Sequence, residues 1–455
     1  MNLVIFKNNL RLNDNPALYY ASKETDIIPI YIDDNFNIKK KIGSASKYWL
    51  HHALNSLNTC LNNNLQYYRG NSLEIISELK SKYNISKIFM EKTFTPDEIN
   101  LQKKISVFAN KLGIDLELYN CSLLWEPKTI LKKDMTPYKV FSPFYRKGCL
   151  QQFEEPDKPL GQPNKLNFAS IENETSLDKL DLLPKFDWHK KLNKHWRISE
   201  RDAMKNFKLF IENSVNEYKI KRDFPYLNKN SSMSPYIRFG MISIHRMWWE
   251  LQKLDYNNNV EHYKSELGWR EFSYYLLYHF PYMEYDNFQS KFDSFEWNNS
   301  KTNFEAWKKG ATGFPIIDAG MKELWETGFI HNRIRMVVGS FLVKNLLIDW
   351  RKGEQWFWDC LVDADYASNI ASWQWVAGTG ADAAPYFRIF NPILQGYKFD
   401  SEGIYTLKYL PELKNISKKN LQTPKESNLK VNYPDPIIDY KQSRQNSLQA
   451  YNNIK

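Results

Sequence analysis

The sequence predicts an α/β N-terminal domain with a parallel, Rossmann-like sheet, followed by an all-α domain. Three observations carry that prediction. Short apolar runs alternate with helical stretches over residues 1–125, and such alternation marks a parallel sheet with crossover helices. From about residue 196 to residue 413 strand signals fade and amphipathic helical patterns dominate. Eight of the fifteen tryptophans fall within residues 297–375, a density that ordinary core packing rarely requires.

In chain order, Leu3-Val4-Ile5-Phe6, Ile27-Ile28-Pro29-Ile30-Tyr31-Ile32 and Ile88-Phe89-Met90 read as buried strands. Residues 44–61 and 96–112 carry helical periodicity. This half has no GxGxxG and no Walker loop, so it carries no dinucleotide fingerprint. Residues 126–195 read as an interdomain connector, because Pro156, Pro159, Pro163 and Pro184 punctuate a polar, Asn-rich and Lys-rich stretch. The expected spans are 1–125, 126–195 and 196–413, with 414–455 as a polar C-terminal tail.

Composition narrows the class. Hydrophobic residues make up 42% of the 455, enough for a large core. No apolar run approaches the ~20 residues of a membrane helix. The opening Met1-Asn2-Leu3-Val4-Ile5-Phe6 reads as a strand entering a fold, not as a signal peptide. A cytoplasmic monomer without a membrane partner is expected. Cys60, Cys121, Cys149 and Cys360 are scattered with no CxxC, so neither a disulfide scaffold nor a metal site is expected. The net charge of +10 suits a polyanionic partner. An AT-rich genome, which favours Lys and Asn, produces the same excess.

Two motifs are more specific. Residues 373–392 read WQWVAGTGADAAPYFRIFNP. Two tryptophans flank a glutamine, small residues follow, and an aromatic-basic run ends in Asn-Pro. Small residues let a backbone approach something flat and large. The stretch resembles the WQWxAGTGxDAAPYFRIFNP signature of the DNA photolyase and cryptochrome family. The opening Phe6-Lys7-Asn8-Asn9-Leu10-Arg11-Leu12-Asn13-Asp14-Asn15-Pro16-Ala17-Leu18 resembles that family's FRxDLRLxDNPAL, with Lys7 for the usual Arg and Asn9 for the usual Asp. The resemblance spans roughly residues 1–413 and implies that the all-α domain binds FAD.

Ser231-Ser232-Met233-Ser234-Pro235 reads as a Ser-rich turn opening a helix. Its hydroxyls and free N–H groups could cradle a diphosphate; a plain N-cap is the simpler alternative. The resemblance assigns Ser231, Ser232, Met233 and Ser234 to the flavin diphosphate, with Tyr218 near it. Asn230 stands where the family has Thr, and an amide also bonds phosphate. Asp363 and Asp365, two apart, could bind a metal or be surface charges, although no further ligands are close. The family's DxDxxxN pattern instead turns both acids toward the flavin and sets Asn369 at its N5. An amide there accepts a hydrogen bond from N5–H and offers no acidic proton. Arg333 and Arg335, two apart on a helix, point to different faces. Arg335 matches the family position at the flavin; Asn332, Arg333 and Met336 match positions facing DNA or the lesion.

Glu266 and Trp269 stand one helical turn apart on a shared face. An acid beside an indole suits a flipped thymine pair, with Glu266 on the base edge and Trp269 and Trp375 as flat walls. Packing plus a surface acid has the same spacing, but a Glu–Trp pair is the pattern of the family's repair enzymes. Trp297, Trp350 and Trp373 match the three tryptophans that relay electrons from the surface to the flavin in the family. Arg222, Arg270, Arg333, Arg388 and Lys398 are expected at phosphates, which position a duplex without reading its sequence.

The resemblance therefore implies light-driven repair of cyclobutane pyrimidine dimers. Excited reduced FAD would pass an electron to a flipped-out dimer, with Glu266 and Asn369 as catalytic residues and dimer-containing DNA as partner. Residues 266–277 and 358–365 look most like bacterial class I or related class III photolyases. Three rivals stand beside this reading, the blandest a flavin-bearing DNA-binding protein with no photochemistry. A cryptochrome-type blue-light receptor often has a long C-terminal extension and frequently lacks the Glu–Trp pair. A (6-4) photolyase favours lesion-site histidines, for which His331 is the candidate. Of the family's antenna segment NxxYEPYExxRD, residues 91–98 keep Glu98 and few other positions. A folate is the preferred antenna, with no antenna the alternative.

Overall fold

Five parallel strands build the N-terminal sheet: β1 (Asn2–Phe6), β2 (Ile27–Asp33), β3 (Gln66–Arg69), β4 (Lys87–Glu91) and β5 (Asp115–Tyr119), in the order β3-β2-β1-β4-β5. Helices α1 (Pro16–Ala21), α2 (Ser44–Cys60), α3 (Ser72–Tyr83) and α4 (Pro96–Lys111) make the crossovers. These come from a computed structural model that describes residues 1–152, 155–171 and 176–455. Central strands are buried on both faces and so read as continuous apolar runs; β1 is buried at every residue. β3 and β5 lie at the sheet edges, where Gln66, Arg69, Asp115 and Glu117 interrupt any apolar run. They are absent from the sequence expectation for that reason.

The strand order reverses between β1 and β4. In open α/β sheets the carboxyl ends beside such a reversal are where ligands bind. Here β1 runs into the DNPAL motif. Asn15 caps α1 by accepting from Leu18 N–H, and the buried Arg11 donates to the carbonyls of Asp14, Cys121 and Gly240. Lys7 pairs with Glu98 at 3.0 Å, so lysine supplies a cation where arginine is usual. Glu91, at the end of β4, is fully buried; one of its carboxylate oxygens accepts from Asn8 N–H, and the other has no hydrogen-bond partner among the described residues.

The chain forms two compact units, Met1–Asn216 with Ser231–His279, and Glu217–Asn230 with Phe280–Lys455. In the first unit, residues 126–152 do not behave as the expected loop. They pack along the helix Asn258–His279. Tyr275 Oη accepts from Tyr138 N–H and donates to the Ile130 carbonyl. Phe144 of the Phe144–Gln151 helical turn meets Phe272 at 5.0 Å. The average polarity of the segment hides its aromatic residues, and those residues dock it.

In the second unit, the helices Pro315–Thr327, Asn332–Ser340, Trp350–Cys360 and Tyr366–Ala377 surround one apolar cluster. Residues 414–455, expected as a polar tail, include the helix Tyr440–Asn452. Its Ser443 accepts from the Asn345 amide, and Tyr451 stacks on Tyr386 at 4.8 Å. Among the described residues no helix is long and apolar enough to cross a membrane.

Candidate active site

Within the second unit, Asp363 and Asp365 lie just ahead of the helix Tyr366–Ala377, which carries Asn369. Asp365 accepts from Ser368 N–H and caps it. Asn369, one turn on, is 8% exposed. Its Nδ2 donates to Glu354 Oε1 at 2.8 Å and to the Glu354 carbonyl at 3.1 Å. Both amide hydrogens are therefore committed, and the amide oxygen faces the other way as an acceptor. Glu354, buried on the helix Trp350–Cys360, fixes that orientation. The sequence reading missed it, and nothing in its spacing from Asn369 marks it.

Trp373 follows on the same helix and is 3% exposed. Its ring meets Phe357 at 5.0 Å and Trp307 at 6.3 Å. It also occupies the space left by Gly353, where a Cβ would lie 2.2 Å from the indole. Trp307 is fully buried and donates its indole N–H to the Val338 carbonyl. Gln374, between the two tryptophans of the motif, donates to the carbonyls of Met283 and Asp286 and accepts from Phe288 N–H. Gly378 takes the left-handed conformation that ends the helix, at φ 87°. Gly380 packs against the Gln374 backbone. These two glycines, expected to admit a flat ligand, serve the chain's own turn.

Arg335 donates to both carboxylate oxygens of Asp363, at 3.0 and 2.8 Å, and to the Ile330 carbonyl. Arg333 pairs instead with Asp223 and lies over the Phe399 ring at 4.4 Å, so the two arginines do point apart. His331 caps the helix Asn332–Ser340, its Nδ1 accepting from Arg333 N–H. Its Nε2 lies 2.6 Å from the Asn230 amide nitrogen, which also donates to the Arg222 carbonyl at 3.3 Å. Burial pushes the His331 pKa down to about 4. Arg222 lies over Tyr218 at 5.2 Å. Asn332, Arg388 and Lys398 are exposed; Met336 and Trp375 are half-buried. Trp350 donates to Asn287 at 2.9 Å, and Trp297 lies 4.6 Å from Phe295.

In the first unit, the five-residue helix Ser234–Arg238 starts after Met233, which offers no side-chain cap, so the plain N-cap reading of this turn fails. Ser231 accepts from Met233 N–H, and Ser232 takes a positive φ of 51°. On the helix Asn258–His279, Glu266 and Trp269 are both half-buried. Phe141 lies flat against the Trp269 indole, with centroids 3.8 Å apart. Arg270 donates to the Ser122 carbonyl and pairs with Glu271. Burial pushes the Glu271 carboxyl up to about 7.

The residues fit FAD on one observation in particular. The donor set pairs a fixed amide oxygen (Asn369) with a cation (Arg335) held by a buried carboxylate (Asp363). Such a set can accept from a ring N–H and balance negative charge on a cofactor. Among the described residues no group of three or more His, Cys, Asp or Glu could hold a metal ion.

Comparison with known proteins agrees. Residues 263–453 match the FAD binding domain of DNA photolyase, and residues 2–163 match the DNA photolyase family description. A deoxyribodipyrimidine photo-lyase of Agrobacterium fabrum is 38% identical, over 100% of this chain and 98% of the relative. The structure of a bacterial class III photolyase from Agrobacterium tumefaciens superposes with a TM-score of 0.95 at 38% identity, covering 100% of this chain and 97% of the other. A cryptochrome from Synechocystis sp. PCC6803 superposes at 0.89 with 26% identity, covering 99% of each chain. The chain belongs to the DNA photolyase family and carries its FAD-binding domain.

Proposed function

We propose that the protein splits cyclobutane pyrimidine dimers in DNA under light, with FAD as its resident cofactor, as a photolyase of class I or the related class III type. The observation that carries this is the Glu266–Trp269 pair, an acid and a half-exposed indole one turn apart on a single helix. Bound and reduced, FAD supplies a photoexcitable one-electron donor. The protein's own groups do the rest. With FAD bound, the Asn369 oxygen would be the acceptor for a flavin ring N–H and Arg335 would offset the flavin's negative charge. Asp363 keeps Arg335 in place, and the serines at 231, 232 and 234 bond the diphosphate. Trp269 walls the flipped dimer, and Glu266 bonds its edge where charge develops. Trp373, with Trp350 and Trp297, would supply oxidisable indoles for electron transfer to an oxidised FAD. The exposed Arg388 and Lys398 meet phosphates.

The (6-4) alternative needs a histidine free to exchange protons with the lesion. Both ring nitrogens of His331 are engaged within its own unit, and burial keeps the ring neutral. That disfavours it as the lesion acid. A folate antenna would show as an extra absorption band in the purified protein.

Incubating the purified, pre-reduced protein with dimer-containing DNA tests the proposal. Dimers should disappear under blue light and persist in the dark. Unchanged dimer content after long illumination would favour the receptor reading. Binding should also weaken as salt rises, because phosphate neutralisation releases counterions.

A further inference from the structure

We infer that Phe141 is a positioning residue for Trp269, and that the rings stacked behind this indole set the preference for damaged over undamaged DNA. The inference rests on Trp269 being the wall for a flipped base. Phe141 and Trp269 lie nearly superposed, with centroids 3.8 Å apart and planes 11° from parallel. Phe141 is also near-parallel to Tyr145, with centroids 5.5 Å apart and planes 9° from parallel. Tyr145, Phe141 and Trp269 thus form one column of near-parallel rings.

Aromatic pairs left to themselves prefer offset or edge-on arrangements. A near-superposed pair therefore needs packing that enforces it, and the surroundings supply that packing. Gly268 directly precedes Trp269, and a Cβ there would lie 2.6 Å from the Tyr145 ring. The missing side chain is what lets Tyr145 close against the helix. Trp125 meets Tyr145 edge-on at 6.4 Å. Phe272 meets Phe141 and Trp269 edge-on, at 5.9 Å from each. The column is held between the helix Asn258–His279 and the docked segment that carries Phe141.

Phe141 covers one face of the indole, so the exposure of the half-buried Trp269 comes from its opposite face and its rim. A base arriving there meets a plane already set and does not bear the cost of ordering it. Bases that stay stacked in intact DNA never reach that plane. The column therefore acts on discrimination and not on general DNA affinity.

Phe141→Ala and the milder Phe141→Leu test this, with affinities for dimer-containing and undamaged oligonucleotides measured at one salt concentration. Phe141→Ala should weaken binding to damaged DNA about three- to tenfold and leave undamaged binding unchanged. Phe141→Leu should fall between, and Phe141→Tyr, which keeps the ring, should restore the ratio. In fluorotryptophan-labelled protein, the fluorine NMR resonance that Trp269→Phe removes should shift and broaden in Phe141→Ala. An unchanged affinity ratio with a moved resonance would make Phe141 a packing residue only. An unmoved resonance would show that other groups hold the indole. A wild-type protein with no preference for damaged DNA would overturn the lesion-wall reading and this inference with it.

Discussion

The helix Asn258–His279 carries Glu266 and Trp269 about one turn apart, and the helix Tyr366–Ala377 carries Asn369 and Trp373 at nearly the same spacing. The surroundings of the two pairs differ. Trp269 has one face against Phe141 and the rest half-exposed, and Glu266 is also half-buried. Trp373 is enclosed by Phe357, Trp307 and the bare backbone at Gly353, and Asn369 is locked by Glu354. A polar group beside an indole is one chemical unit in both places. An open pair can receive something that comes and goes. An enclosed pair can only serve a group that stays. The first therefore suits substrate and the second a resident cofactor.

The largest expected effect separates the two tryptophans. Phe at position 373 keeps an aromatic ring in the enclosed site, so packing changes little, but benzene resists oxidation where indole does not. In Trp373→Phe, FAD oxidised at the start should stay oxidised under blue light with a reductant present. Once chemically reduced, the same variant should still repair. Absorption spectra and dimer assays read the two outcomes. Normal photoreduction would place the relay elsewhere, and Trp307 is the buried neighbour to examine next. The complementary change, Trp269→Ala, should spare photoreduction and remove about 1–3 kcal/mol of the preference for damaged DNA, the range for stacking on a base. Equal losses for damaged and undamaged DNA would show that this indole does not meet the lesion.

Smaller effects sharpen the contrast further. Glu354→Ala removes the side-chain acceptor of one Asn369 amide hydrogen in a buried site, the bond to the backbone carbonyl at 354 remaining, which should cost about 1–3 kcal/mol in denaturant unfolding. Glu266→Ala removes a half-exposed group, so its stability cost should stay below that of Glu354→Ala. It should lower the repair yield severalfold with FAD content intact. An unchanged yield would reduce Glu266 to a packing residue.

The smallest effect on either pair should come from Glu91, which lies on neither helix. Burial raises its carboxyl to about 7, so the folded protein favours the protonated form. Stability should accordingly fall as pH rises from the ordinary carboxylate range to about 7, by no more than roughly 3 kcal/mol. Glu91→Gln should flatten that dependence without touching photoreduction or damage preference. The difference between the wild-type and Glu91→Gln melting curves from pH 5 to 8 is the check, since Glu271 and His331 act in both proteins, and a wild type that gains stability relative to Glu91→Gln as pH rises would contradict the burial account of Glu91.

The sequence made some of this legible and hid the rest for identifiable reasons. β1, β2 and β4 announce themselves because both their faces are covered, whereas β3 and β5 are polar edge strands without that pattern. Glu266 with Trp269 and Asn369 with Trp373 could be paired in advance because each pair lies on one helix, where spacing fixes the face. Glu354, Gly353, Trp307 and Phe141 could not, since each reaches its partner from a different segment. The polar average of residues 126–152 concealed the aromatic residues that dock it, and with them the support behind Trp269. The roles of Asn369, Arg335 and the tryptophans rest on family resemblance; the hydrogen bond from Asn369 to Glu354 shows only how the amide is oriented.

The most direct measurement is the action spectrum of dimer splitting by the pre-reduced wild-type protein. Splitting should follow the absorption of reduced flavin, gain a further band where any antenna absorbs, and stop in the dark. If dimers persist at every wavelength while the flavin stays bound and reduced and the DNA stays bound, light-driven repair is contradicted and a receptor remains.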